Sequence, residues 1–117
     1  MSVLEVKSFT APDETRSLPK TKVEVVTIGE MTAVKSTFEP GWRWSEHVQP
    51  KAGTASCQVL HFGYVLSGRM RVMMDDGKEA EFGPGSVVVI SPGHDAWVVG
   101  DEPYVGLDFQ GGETYAR

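Results

Sequence analysis

Three histidines are spread over 117 residues: His47 in SEHVQ, His61 in VLHFG and His94 in SPGHDAW. Imidazole nitrogen binds first-row divalent ions well. Scattered histidines on strands can converge inside a barrel, so the three are read as one candidate metal site, with Gln49 as a candidate fourth ligand. Three neutral imidazoles and an amide oxygen would leave the ion's charge uncompensated, making a strong Lewis acid with one or two positions open to water or substrate. Zn, Fe, Mn, Ni and Co all suit such donors, so the identity of the divalent metal ion stays open.

Other residues could join this chemistry, and each has a plainer reading beside it. Cys57 is a soft donor, but a free cysteine also packs as a small hydrophobe, and packing is the favoured reading. Arg43 could reach an anionic substrate, yet an exposed charge at a strand end is the simpler expectation. Glu46, Asp95 and Asp108 are the acid/base candidates close to the motifs. Among the aromatics, Trp97 is the pocket candidate because it follows the His94 turn, whereas the others are expected to pack. No Ser/His/Asp or phosphate-loop pattern is present.

These residues must be held by strands. VEVVTIG and MTAVKSTF are β-branched runs split by Gly29-Glu30, which predicts a hairpin. GWRWSEHVQ reads as the next strand, and its alternation sets Arg43, Ser45, His47 and Gln49 on one face. PKAGTAS is a loop, and CQVLHFGYVLSG alternates so that Cys57, Val59 and His61 point together. RMRVMM and KEAEF flank a DDG turn, while SVVVI, an unbroken apolar run, is expected to be buried on both faces. HDAWVVG and YVGLDF complete the strands, and the tail GGETYAR is expected to be loose. Residues 1–22 read as an N-terminal extended arm or edge strand, and residues 23–117 as the barrel domain. No window repeats apolar residues at 3.6, so the fold class is all-β, sandwich or barrel.

Composition narrows the function. Sixteen acidic and eleven basic residues give a net charge of −5, with no cationic cluster for a phosphate-rich partner, so nucleic-acid binding is not expected. A single cysteine and a charged N-terminus predict a cytoplasmic protein, and no apolar run is long enough for a membrane span.

Two motif blocks refine the fold. Gly41 is followed after five residues by His47, then by Gln49, by His61 and, six residues after His61's successor segment FGYVLS begins, by Gly68. Later come Gly85, Pro92, Gly93 and His94 in GPGSVVVISPGHDAW. In these blocks the chain resembles the small single-domain cupins, double-stranded β-helices of jelly-roll type. In that family Gln49 stands at a histidine position and His61 at a glutamate position, while the last histidine's position falls on Ala96, two residues beyond His94.

The resemblance implies a jelly-roll barrel and a metal centre formed by His47, Gln49, His61 and His94. It further implies an enzyme acting on a small oxygen-bearing organic molecule, of dioxygenase or lyase/cyclase type. The alternatives are a non-catalytic small-ligand or metal-sensing module and a structural barrel with vestigial histidines. A homodimer is also expected, with the arm free to add to a neighbour's sheet edge.

Overall fold

The computed structural model describes residues 2–110; the tail discussed above lies outside the described residues. Among the described residues nine strands form two antiparallel sheets. In chain order they are β1 (Glu14–Leu18), β2 (Thr21–Ile28), β3 (Met31–Phe38), β4 (His61–Ser67), β5 (Arg69–Met74), β6 (Glu79–Phe82), β7 (Val87–Ile90), β8 (His94–Val99) and β9 (Tyr104–Asp108). The larger sheet runs β1-β2-β3-β9-β4-β7, and the smaller runs β6-β5-β8. This is the all-β class that the strand spacing predicts and the jelly-roll type that the family resemblance implies. β1 already pairs with β2 ahead of Val23, so the N-terminal segment supplies an edge strand as well as an arm.

Local sequence explains the turns. The Gly29-Glu30 hairpin forms with Ile28 opposite Met31, and the DDG turn joins β5 to β6. Between β4 and β5 the chain passes from one sheet to the other at Gly68, whose φ of +77° favours glycine. A side chain there would also collide with the Pro103 backbone.

The core lies between the sheets. Val23, Val25, Val34, Phe38 and Val65 face it from the larger sheet, and Met70, Val72, Ala96 and Val98 from the smaller. Trp42, Trp44 and Val48 close one side, on the segment that links β3 to β4.

That linking segment departs from the strand expected for GWRWSEHVQ. It forms two short helices, α1 (Trp44–His47) and α2 (Gln49–Ala52). Trp44 and Val48 are both buried, and their i, i+4 spacing puts them on one helical face. Pro50 falls at the start of α2, where its missing N–H costs nothing. Bridges hold the segment to β8 at both ends: Arg43 pairs with Trp97 and Cys57 with His94.

SVVVI also departs from expectation. β7 is the edge of the larger sheet, and Val87 and Val89 are 67% and 68% exposed rather than buried. Among the described residues no helix is long and apolar enough to cross a membrane.

Candidate metal centre

His61 opens β4 and His94 opens β8, while Cys57 lies just before β4, tied by backbone hydrogen bonds to His94 and Gly93. One ligand atom from each of Cys57, His61 and His94 falls within 4.8 Å of the others, and all three residues are buried. Cys57 Sγ is 3.7 Å from His61 Nε2. The two rings meet edge to face, with centroids 5.3 Å apart.

Each imidazole is oriented from behind. His61 Nδ1 lies 3.0 Å from Asp108 Oδ2, across the sheet on β9. His94 Nδ1 donates to the Ser91 carbonyl at 2.8 Å. Both Nδ1 atoms are thereby engaged and both Nε2 atoms are left as donors to the cluster, the arrangement that outer partners impose on ligating histidines. Gly63, directly opposite Asp108 in the β4–β9 register, makes the approach possible. A Cβ there would meet the Leu107 carbonyl and stand 2.6 Å from Asp108 Oδ1.

Two further candidates, His47 and Gln49, lie on the helical segment between β3 and β4. His47, at the end of α1, accepts the Arg43 backbone N–H at Nδ1 (3.0 Å) and is not a member of the cluster. Gln49 begins α2. The two fall on different short helices, so the strand alternation that would set them on one face does not apply. Arg43 reaches Asp95 at 3.6 Å and lies over the Trp97 ring at 4.3 Å. Trp97 therefore supports Arg43 on the side of β8 opposite the inward-facing His94, Ala96 and Val98.

Cys57 packs in the core as expected, but its contact with His61, and that of Asp108 with His61, were not disclosed by the sequence. Alternation did place Cys57 with His61, but nothing local separates a ligand from a packed thiol. Asp108 was an acid/base candidate, and the structure gives it a different task, holding His61.

A cavity of about 50 Å³ adjoins the cluster, with His61, His94, Asp108 and Ser36 as its polar lining. Phe38, Trp42, Trp44, Met70 and Tyr104 are among its apolar walls. At roughly 10–15 Å³ per water molecule, it admits a few heavy atoms.

The electrostatics couple Cys57 to His61. Burial disfavours the thiolate, but hydrogen bonds from His61 and His94 and the field of His94 outweigh it, bringing the thiol from 9.0 down to about 6. Burial also disfavours a charged His61, but its hydrogen bonds to Asp108 and Cys57 outweigh that, raising it from 6.5 to about 9. The metal-free pair is therefore a thiolate beside an imidazolium at neutral pH.

The linkage signs oppose each other. His61's contribution to stability is complete below 6.5 and is lost as pH rises through about 9. Cys57's is complete above 9.0 and is lost as pH falls through about 6. Between those limits the folded chain keeps on His61 the proton that the unfolded chain keeps on Cys57, so this pair should leave stability nearly flat. In the same window the ultraviolet absorbance of the thiolate should titrate near the lower limit. A thiol titrating at its ordinary value would show that the pair does not form.

The donors fit a metal ion. Bonds of about 2.0–2.3 Å in tetrahedral geometry set ligand atoms roughly 3.3–3.8 Å apart. Donors that already lie within 4.8 Å need only small movements to meet that.

Comparison with known proteins agrees with this architecture. Among curated proteins none matches the chain in sequence. Of solved structures, the polyketide cyclase RemF from Streptomyces resistomycificus superposes with a TM-score of 0.64 at 17% identity, over 92% of this chain and 79% of that one. KdgF from Halomonas sp. gives 0.57 at 22% identity, over 84% and 86%. A cupin-like protein from Thermotoga maritima MSB8 gives 0.54 at 19% identity, over 77% and 67%. Each likeness is one of fold. The EutQ-like cupin domain matches residues 23–104, which include both motif blocks and all three cluster residues, and the chain belongs to that family.

Proposed function

We propose that this chain is a metal-dependent cupin enzyme acting on a small oxygen-bearing organic molecule, with Cys57, His61 and His94 as the metal ligands. The observation that carries the reading is the shared orientation of the two imidazoles. Their Nδ1 atoms are engaged by Asp108 and Ser91, His61 Nε2 lies 3.7 Å from a buried thiol, and His94 offers a ring nitrogen within 4.8 Å of both. Buried structural histidines have no need of a common focus.

A thiolate with two imidazoles is a soft set that suits zinc better than manganese or magnesium. When bound, such an ion supplies Lewis-acid activation of a substrate oxygen. That favours lyase or cyclase chemistry over dioxygenation, in line with the cyclase named among the structural neighbours. The chain's own residues bind and shield. Phe38, Trp42, Trp44 and Tyr104 exclude water from the cavity, and His61 and His94 present the reactive end of the site to it. Asp108 holds the His61 proton at Nδ1, which keeps Nε2 available.

A second reading rests on the same side chains: Cys57, His61 and Asp108 stand in the order of nucleophile, base and orienting carboxylate. Metal analysis separates the two. Protein purified without chelator should carry close to one equivalent of zinc. Asp108→Asn should weaken zinc binding by about 10–100-fold while the circular dichroism spectrum stays that of a β protein. A folded chain that takes up no metal overturns the first reading and leaves the thiol chemistry.

A further inference from the structure

The two sheets do not close on each other all the way round. β6 is the edge of the smaller sheet and β7 the edge of the larger, and among the described residues no strand pairing joins them. The chain passes from one to the other through Gly83-Pro84-Gly85-Ser86, and between the two strands lies a groove of about 600 Å³. That is within the ~300–1,000 Å³ of small-molecule sites.

The register decides which side chains face the groove. Ala80 and Phe82 stand opposite the inward Val72 and Met70 of β5, while Val88 and Ile90 stand opposite Gly63 and the inward His61 of β4. The inner wall is therefore Val72, Met74, Ala80, Phe82, Val88 and Ile90, with the Ser86 hydroxyl at the turn. The charges lie on the rim and are paired. Glu79 and Glu81 turn outward to Arg71, at 3.1 and 3.4 Å, and Lys78 lies 3.7 Å from Asp76.

The groove leads to the candidate metal centre. Val88 and Ile90 line both the groove and the cavity beside His61 and His94. Its two walls end on the two imidazoles, since Ile90 pairs with His61 and Met74 with His94. The inner cavity, at about 50 Å³, takes only a few heavy atoms. The rest of any longer molecule bound there must extend outward, and the groove is the apolar space that meets it.

We propose that the groove between β6 and β7 binds the tail of the substrate, an uncharged hydrocarbon chain, while its oxygen-bearing head occupies the cavity at His61 and His94. The head's place rests on the proposed metal-dependent function; the tail's place rests on the groove alone. A charged or polyhydroxyl tail would leave polar groups facing six apolar side chains without partners. Four residues in each strand, at about 3.3 Å per residue, give a groove on the order of 13 Å long, room for a medium-length chain. An added peptide strand suits it less, because both edges are short and β6 carries Glu79 and Glu81.

Isothermal titration calorimetry with n-alkyl hydroxamates, from acetohydroxamate to octanohydroxamate, tests this on the full chain purified without chelator. The head is constant across the series, so the ratio between homologues reads the tail whether or not metal is bound. Elemental analysis of the same sample reads the metal. Affinity should rise about threefold per methylene once the inner cavity is filled. Ala80→Glu puts a charge on the inner wall at an exposed position of an edge strand. It should lower octanohydroxamate affinity at least ~10-fold and leave acetohydroxamate unchanged. Ala80→Trp, which fills the groove without charging it, repeats the test should the glutamate variant not fold. Met73→Lys, opposite Glu79 on the outward face of β5, should change neither affinity. Affinity that is flat with chain length overturns the proposal, as does a rise that folded Ala80 variants leave intact. A dimer that the longer homologues dissociate also overturns it, since a second copy of the chain would then be the groove's occupant. A chain without metal whose affinity climbs with length upholds the groove and overturns only the metal-dependent function.

Discussion

Replacing His61 by Ala, or Cys57 by Ser, is expected to lower metal affinity by more than ~100-fold, beyond the range for outer partners. Each change removes one of three donors that lie within 4.8 Å of one another. The remaining two cannot hold a divalent ion against water in the same way. Serine keeps nearly the volume of cysteine, so loss of metal in that variant reports chemistry and not packing. His61→Ala has the further effect of leaving Asp108 without the imidazole it holds. His47→Ala and Gln49→Ala should keep stoichiometric zinc, since both residues sit on the helical segment and His47 is engaged with its own backbone. Elemental analysis of folded variants decides the matter. A His61→Ala chain that retains a full equivalent of metal places the site elsewhere.

The contrast between these pairs shows where sequence was informative. Hairpins were legible because β-branched runs and glycine turns are local signals, and β2–β3 and β5–β6 form where those signals lie. The convergence of His61 and His94 was legible because a family pattern surrounds them. GWRWSEHVQ was misleading because it satisfies two periods at once. Alternation gave a polar face through His47 and Gln49, while Trp44 and Val48 at i, i+4 gave an apolar helical one. Burial of Trp44 and Val48 decided for the helix.

The position of His94 follows from the same topology. The family's place falls on Ala96, and both residues face inward on β8, one strand period apart. His94 is the one that bridges to Cys57. Asp108 is 47 residues from His61, and only the β4–β9 register brings them together. Exposure of Val87 and Val89 likewise depends on which strand ends the sheet, which a four-residue apolar run does not disclose.

Trp42→Ala is expected to cost about 3–5 kcal/mol, the range for truncating a buried aromatic, and to lower Tm by roughly 10–20 °C. Trp42 is 1% exposed and stacks on Phe38 with centroids 3.9 Å apart and planes 10° from parallel. Its Nε1 donates to Thr21 Oγ1 at 2.9 Å, tying the helical segment to β2. Its carbonyl accepts the Val98 N–H, so the same residue anchors that segment to β8. Alanine keeps the backbone bond but removes the stack, removes the donor to Thr21 and opens a void beside the cavity. Trp97→Ala is the informative comparison. That ring is partly exposed and carries Arg43 at 4.3 Å, a contact worth about 0.5–1 kcal/mol at an exposed site. Thermal unfolding should therefore separate the two tryptophans by several kcal/mol. Equal losses would mean that the segment between β3 and β4 is held by its outer contacts, and that the Trp42 stack is not what closes the cavity beside His61 and His94.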